Sequence, residues 1–179
     1  MSEIMTYTKI MFDPLHPKKE LINITDIAHS LSMLCRANGH FRNFYSVCQH
    51  SINCAIEAAA RGYTTRIQLA CLLHDASEAY LSDVTRPVKA QLPQYKQIEA
   101  PLQETIWNKW LTAPLTEDER RQVFAIDDAI LAHEFLQLMD TQIIDPTPVI
   151  LSQPEFSFTG FEVCEQTFLK LFHQLTPPN

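Results

Sequence analysis

The spacing of apolar positions predicts helices along almost the whole chain. From Thr25 to Asn38, Ile27, Leu31, Leu34 and Cys35 fall on one stripe of a 3.6-residue repeat, which Gly39 ends. Ser46 followed by Gln49 has the spacing of a capping box, and Val47, Ile52, Ala55 and Ala59 then carry a second helix to Gly62. A third begins near Thr65 and runs through Ile67-Gln-Leu-Ala-Cys-Leu-Leu73 into His74 and Asp75. Leu81 to Lys89 holds a proline and keeps no period, so it is predicted as a loop. Tyr95 to Leu111 is helical, with Pro101 kinking the helix or starting a new one. Glu117 to Met139 gives the longest pattern, with Val123, Ile126, Ile130, Leu131 and Phe135 inward. Pro146, Pro148 and Pro154 then break the chain before a last helix from Phe161 to Leu175. No segment alternates as a strand does, and nothing repeats. The expected architecture is an all-α bundle forming a single domain over residues 1–179.

Length and composition narrow the class. A chain of 179 residues supports one substantial core, and 46% hydrophobic against 20% charged residues is an ordinary globular balance. No run of 18 apolar residues could span a bilayer, and Met1-Ser-Glu-Ile-Met-Thr-Tyr does not resemble a secretory signal. Cys35, Cys48, Cys54, Cys71 and Cys164 form an odd set without a Cys-x-x-Cys pair. Reduced, buried thiols in a cytoplasmic protein are expected. The three glycines build neither a P-loop nor a Gly-x-Gly-x-x-Gly turn. A net charge of −7, from 21 acidic and 14 basic residues without a basic cluster, argues against duplex nucleic acid as a partner. A small polyanion remains compatible where a metal and a few cationic side chains reverse the local field.

The candidate chemistry begins at His74 and Asp75, which close an apolar run and can offer one nitrogen and one oxygen to the same divalent cation. Glu78 follows three residues after Asp75. His50 lies in the first turns of the second helix, and Asp127 sits among the inward positions of the longest one, where a lone carboxylate is costly. Asp128 beside it reads as the solvated neighbour. Two imidazoles and two carboxylates from three helices would close one half of a cation's coordination and leave the other half for water and substrate, an arrangement suited to metal-assisted hydrolysis. His16, His40, His133 and His173 read as ordinary core or surface residues.

Over residues 22–140 the chain resembles the HD superfamily of metal-dependent phosphohydrolases, with a C-terminal helical extension at 155–176. The stretches Asp26-Ile-Ala-His-Ser-Leu31, Tyr45-Ser-Val-Cys-Gln-His50 and Leu73-His-Asp-Ala-Ser-Glu78 are similar to small bacterial and phage HD nucleotide hydrolases. Asp-Ala-Ile-Leu-Ala-His-Glu134 resembles the family segment that sets the last ligand at Asp127. The resemblance implies His50, His74, Asp75 and Asp127 as ligands of one divalent transition metal (Mn, Co, Fe, Ni or Zn). A mononuclear centre is expected because no further histidine lies between Asp75 and Asp127. It implies Glu78 as general acid or base, Asp83 as an acidic group supporting substrate or proton transfer, and Arg36 on a phosphate, with Lys89 and Arg86 as further cations. Ser82 and Ala37 depart from the Gly and Trp that some relatives carry, which leaves sugar and base recognition open.

The implied activity is removal of the 5′ phosphate from deoxynucleoside monophosphates or release of tripolyphosphate from deoxynucleoside triphosphates, in a homo-oligomer. A catalytically silent nucleotide-binding regulatory module and an alarmone hydrolase share the scaffold.

Overall fold

A computed structural model describes residues 3–176. Its regular structure is all-α apart from one small hairpin, β1 (Ile4–Met5) with β2 (Met11–Phe12), antiparallel in the register Ile4 to Phe12. Eight helices follow: α1 (Ile24–Met33), α2 (Val47–Ala60), α3 (Thr65–Leu72), α4 (Glu78–Leu81), α5 (Arg86–Lys89), α6 (Pro93–Trp110), α7 (Glu117–Met139) and α8 (Phe161–Leu175). Among the described residues no helix is long and apolar enough to cross a membrane.

Local chemistry explains most boundaries. Asn23, Ser46 and Thr64 each accept a backbone N–H at the start of α1, α2 and α3, and Thr116 with Glu119 forms a complete capping box on α7. At Ser46 only half of the expected box forms. The Gln49 side chain instead donates to the carbonyls of Glu155 and Ser157.

Three other expectations are corrected. The first helix ends at Met33 rather than Asn38, because Leu34 and Cys35 turn extended and Cys35 bridges to Ser46: Val47 N–H donates to Leu34 O at 3.0 Å and Arg36 N–H to Tyr45 O at 2.9 Å. The presumed loop from Leu81 to Lys89 is half helical, since α5 begins at Arg86 with Pro87 in the first turn, where no intrahelical N–H is needed. α6 runs through Pro101, which lies on an exposed face where water can serve the unpaired carbonyl.

α2 is the centre of the bundle, packed against α1, α3, α7 and α8. Its buried positions surround the helix rather than marking a single stripe, as expected of a core helix. α8 is no appendage: Cys164, Phe168, Phe172 and Leu175 are buried in the same core as Ile27, Leu31 and Leu72. All five cysteines are free thiols.

The fully buried Glu57 on α2 holds the segment between α7 and α8. It accepts from the backbone N–H groups of Leu151 and Ser152, from Ser152 Oγ at 2.6 Å and from Arg61 Nε at 2.7 Å. Burial alone would raise its pKa, but these donors outweigh it and hold the carboxyl below the usual range. A depressed folded-state pKa contributes stability above the unfolded value, and that contribution is lost as pH falls through the folded value. Glu57→Gln should therefore cost about 1–3 kcal/mol at neutral pH. In urea denaturation its deficit against the parent should shrink as the pH drops below the ordinary glutamate value of 4.5. A deficit that stays constant down to acid pH would show that the charge is not what holds the segment.

Candidate metal centre

Three helices bring the candidate donors together. His50 lies in the first turns of α2, and α3 stops at Leu72, so His74 and Asp75 emerge on successive turns before α4 begins. Gln103 of α6 clamps that turn: its oxygen accepts from Ser77 N–H at 3.1 Å and its amide donates to Leu73 O at 2.8 Å. Asp127 is at the middle of α7, and Glu134 lies two turns further on. Arg36 enters from the short turn after α1, where Ala37, Asn38 and Gly39 all take positive φ values (51°, 51° and 76°). The backbone bond from Arg36 to Tyr45 fixes its origin.

His50 Nε2 is 3.2 Å from His74 Nε2, 3.2 Å from Asp127 Oδ1 and 3.7 Å from Asp75 Oδ2. His74 Nε2 is 3.2 Å from Asp75 Oδ2 and 3.7 Å from Asp127 Oδ1. Donors bound about 2.0–2.2 Å from one small cation stand roughly 3.0–3.5 Å apart in tetrahedral or octahedral geometry. Three of the observed separations, at 3.2 Å, fall in that range, and the two at 3.7 Å lie just above it. Cys54, one turn beyond His50, places Sγ 3.5 Å from His50 Nε2, and His50, Cys54 and His74 form a buried group that could hold a metal ion.

The outer nitrogens set the chemistry of the inner ones. His50 Nδ1 faces Glu134 Oε1 at 2.5 Å, and His74 Nδ1 faces the carbonyl of Cys71 at 2.7 Å. Each outer nitrogen therefore carries the hydrogen, and in the neutral rings both Nε2 lone pairs point at the same place as two carboxylate oxygens. Four converging lone pairs demand positive charge. Burial disfavours protonation of both rings, yet the surrounding carboxylates, Glu134 and Asp127 at His50 and Asp75 and Asp127 at His74, reverse that and raise both pKa values. Asp127 is held well below the usual carboxylate range despite its burial because both imidazoles face it. Burial keeps the Cys54 thiol protonated, reinforced by the charge of Asp127.

The cluster lies at the wall of a cavity of about 850 Å³, which Arg36, Glu78, Asp83, Arg86 and Lys89 also line. The sequence-predicted residues are thus assembled in one place, but most are already engaged. Arg36, nearly buried, spans Asp75 Oδ2 and Glu134 Oε2, each at 3.2 Å. Arg86 donates to the outer oxygen of Asp127 and to Asp128, both at 2.6 Å. Lys89 Nζ stands between Glu99 Oε1 at 2.6 Å and Glu78 Oε1 at 3.5 Å. The second oxygen of Glu78 is buried without a partner. Burial, then the negative charges of Asp75 and Asp83, push the Glu78 carboxyl well up, and burial also raises Asp83.

No protein-family model matches the chain. It is 37% identical over 115 residues to the uncharacterized protein YfdR of Escherichia coli K12, a match covering 64% of this chain and 62% of YfdR. It is likewise 37% identical over 122 residues to an uncharacterized protein of Rhodobacter capsulatus, with the same coverage. The chain thus spans about three fifths of the length of the curated relatives it matches.

Sequence reasoning passed over Glu134, Cys54, Glu99 and Gln103. Glu134 was within reach: it follows Asp127 by seven residues, two helical turns, and so shares its face of α7. It is fully buried and binds both His50 and Arg36. Glu134→Ala would leave the Arg36 charge with one fewer buried partner, and we expect a loss of about 3–5 kcal/mol in chemical denaturation. A loss under about 1 kcal/mol would mean that solvent replaces the carboxylate.

Proposed function

We propose that the chain is a metal-dependent phosphoester hydrolase of the HD superfamily acting on nucleotides. In this reading one divalent cation is held by His50 Nε2, His74 Nε2, Asp75 Oδ2 and Asp127 Oδ1. The observation that carries it is the spacing of those four atoms, 3.2–3.7 Å for the pairs described above, with both outer imidazole nitrogens turned to acceptors and the cluster opening on a cavity. Asp75 and Asp127 are better ligands here than Cys54, which would first have to surrender a strongly held proton. Imidazole with carboxylate ligation suits Mn, Co, Fe, Ni or Zn.

When bound, such a cation activates water and polarises a phosphoryl oxygen. The side chains supply the rest. Arg36 presents a planar guanidinium beside the cluster, matched to phosphate oxygens. Lys89 can exchange a carboxylate for a substrate oxygen, since it already lies between two acidic groups on the cavity wall. Glu78, with one oxygen on Lys89 and the other without a partner, is placed to give a proton to the departing alkoxide. Asp83 lines the same wall and can accept one from the attacking water. Arg86 serves in this account to orient Asp127 through its outer oxygen.

The family resemblance suggests two reactions: release of inorganic phosphate from deoxynucleoside monophosphates, and release of tripolyphosphate from deoxynucleoside triphosphates. Chromatography of the products formed from both substrate sets with Mn or Co decides between them. His74→Ala and Asp127→Ala should lose metal and turnover together. Glu78→Gln should retain metal and lose about 10²- to 10⁴-fold in kcat. Stoichiometric metal in Asp127→Ala, measured by atomic emission, would refute the ligand set.

A further inference from the structure

The cavity does not end at the donor cluster. On α7, Arg120, Phe124, Asp127, Leu131 and Phe135 recur every three or four residues and all line it. They therefore form one stripe, about 22 Å long at the helical rise per residue. Asp127 stands near its middle. Toward the start of α7 the wall is Phe124 with Trp107 of α6, and the Arg120 guanidinium lies 5.4 Å from the Trp107 ring centre while pairing with Glu104 at 2.6 Å. Toward the end of α7 the wall is Leu131 and Phe135 with Phe41 and Ile143, and it carries no charge. Phe124 and Ile143 remain 51% and 43% exposed and face the open groove, while Phe41 and Trp107 are packed into the core and reach the cavity only at its floor.

Two organic-binding lobes thus flank one cationic centre. A phosphomonoester has an organic group on only one side of its phosphorus and would leave one apolar lobe wet. Resting on the phosphoester reading above, we propose that the substrate is a phosphodiester of dinucleotide size, with one organic group in each lobe and the scissile phosphorus at the donor cluster. The lobe at Leu131, Phe135 and Ile143 offers only apolar surface. The lobe at Phe124 and Trp107 adds an acceptor in Glu104 and a donor in Arg120, which suit a heterocycle with hydrogen-bonding edges. The net charge of −7 opposes a long polyanionic strand and favours the short diester. In the reaction one water is consumed: its oxygen bonds to phosphorus, the bond from phosphorus to one alkoxide breaks, that alkoxide takes a proton, and a monoester and an alcohol leave with no change of oxidation state.

The test uses thymidylyl-(3′→5′)-thymidine against thymidine 5′-monophosphate on the Mn-loaded protein, with product chromatography, and calorimetric binding of both compounds to the Mn-loaded protein carrying Glu78→Gln, which slows turnover. We expect kcat/KM for the diester to exceed that of the monoester by at least tenfold. Phe124→Ala, a change at a half-exposed site, should weaken binding of the diester by roughly tenfold and of the monoester by less. Turnover of the monoester at an equal or higher rate overturns the diester proposal and leaves the phosphoester reading standing. Turnover of neither, with metal bound, overturns the diester proposal, and thymidine 5′-triphosphate run alongside then decides the phosphoester reading, which falls if the triphosphate is also left intact. Undiminished diester binding in Phe124→Ala overturns the assignment of that lobe.

Discussion

The carboxylate of Glu134 is the constraint on which the site depends. It is fully buried, it has α2 on one side and the turn after α1 on the other, and it binds His50 Nδ1 and Arg36 Nε at once. A charge in that position is tolerable only because an arginine and an imidazole answer it, and each of those in turn faces Asp75 or Asp127. The alternating chain of charge runs Glu134, Arg36, Asp75 along one branch and Glu134, His50, Asp127 along the other. Removing Glu134 would strand the buried His50 and Arg36 without that partner. The same chain fixes which nitrogen of His50 points inward, so the element that stabilises the contact between α2 and α7 also sets the chemistry of the site.

The helices were legible wherever one apolar stripe was the only demand on the sequence. α7 and α8 fall on the boundaries their periodicity predicts, and α3 is close to it. The end of α1 was not legible, because Leu34 and Cys35 continue the helical period yet serve the core from an extended strand-like pairing with residues 45–47. Likewise Leu131 and Phe135 fit the inward stripe of α7 but line the groove, while Ile126, Ala129 and Ile130 take the core. A helix that serves a core on one face and a cavity on the next carries apolar residues on both, and periodicity cannot distinguish the two.

The site was legible to a different depth. His50, His74, Asp75 and Asp127 announce themselves as polar residues in apolar surroundings, and the structure brings them within hydrogen-bonding range of one another. Their supporting residues give no such signal. Gln103 is a polar residue on an amphipathic helix until Ser77 and Leu73 are seen to lie against it. Arg86 and Lys89 read as free cations because their partners, Asp127 and Asp128 for one and Glu78 and Glu99 for the other, are not neighbours in sequence.

These ion pairs bear on how anionic ligands are met. Inside the cavity each cation that could greet a phosphate is already paired with a carboxylate, and the acidic side chains of the lining outnumber the basic ones, so the resting site favours cations over anions. An entering anion must displace a carboxylate from Lys89 or share the guanidinium of Arg36, and neither exchange gains much unless a further positive charge is present. In the proposed reading that charge would sit among the lone pairs of His50, His74, Asp75 and Asp127. A cation held there would compete with Arg36 for Asp75 and so leave that guanidinium more available to the cavity. Cation and anion would then favour each other's binding by linkage, because each would relieve the electrostatic cost the other meets alone.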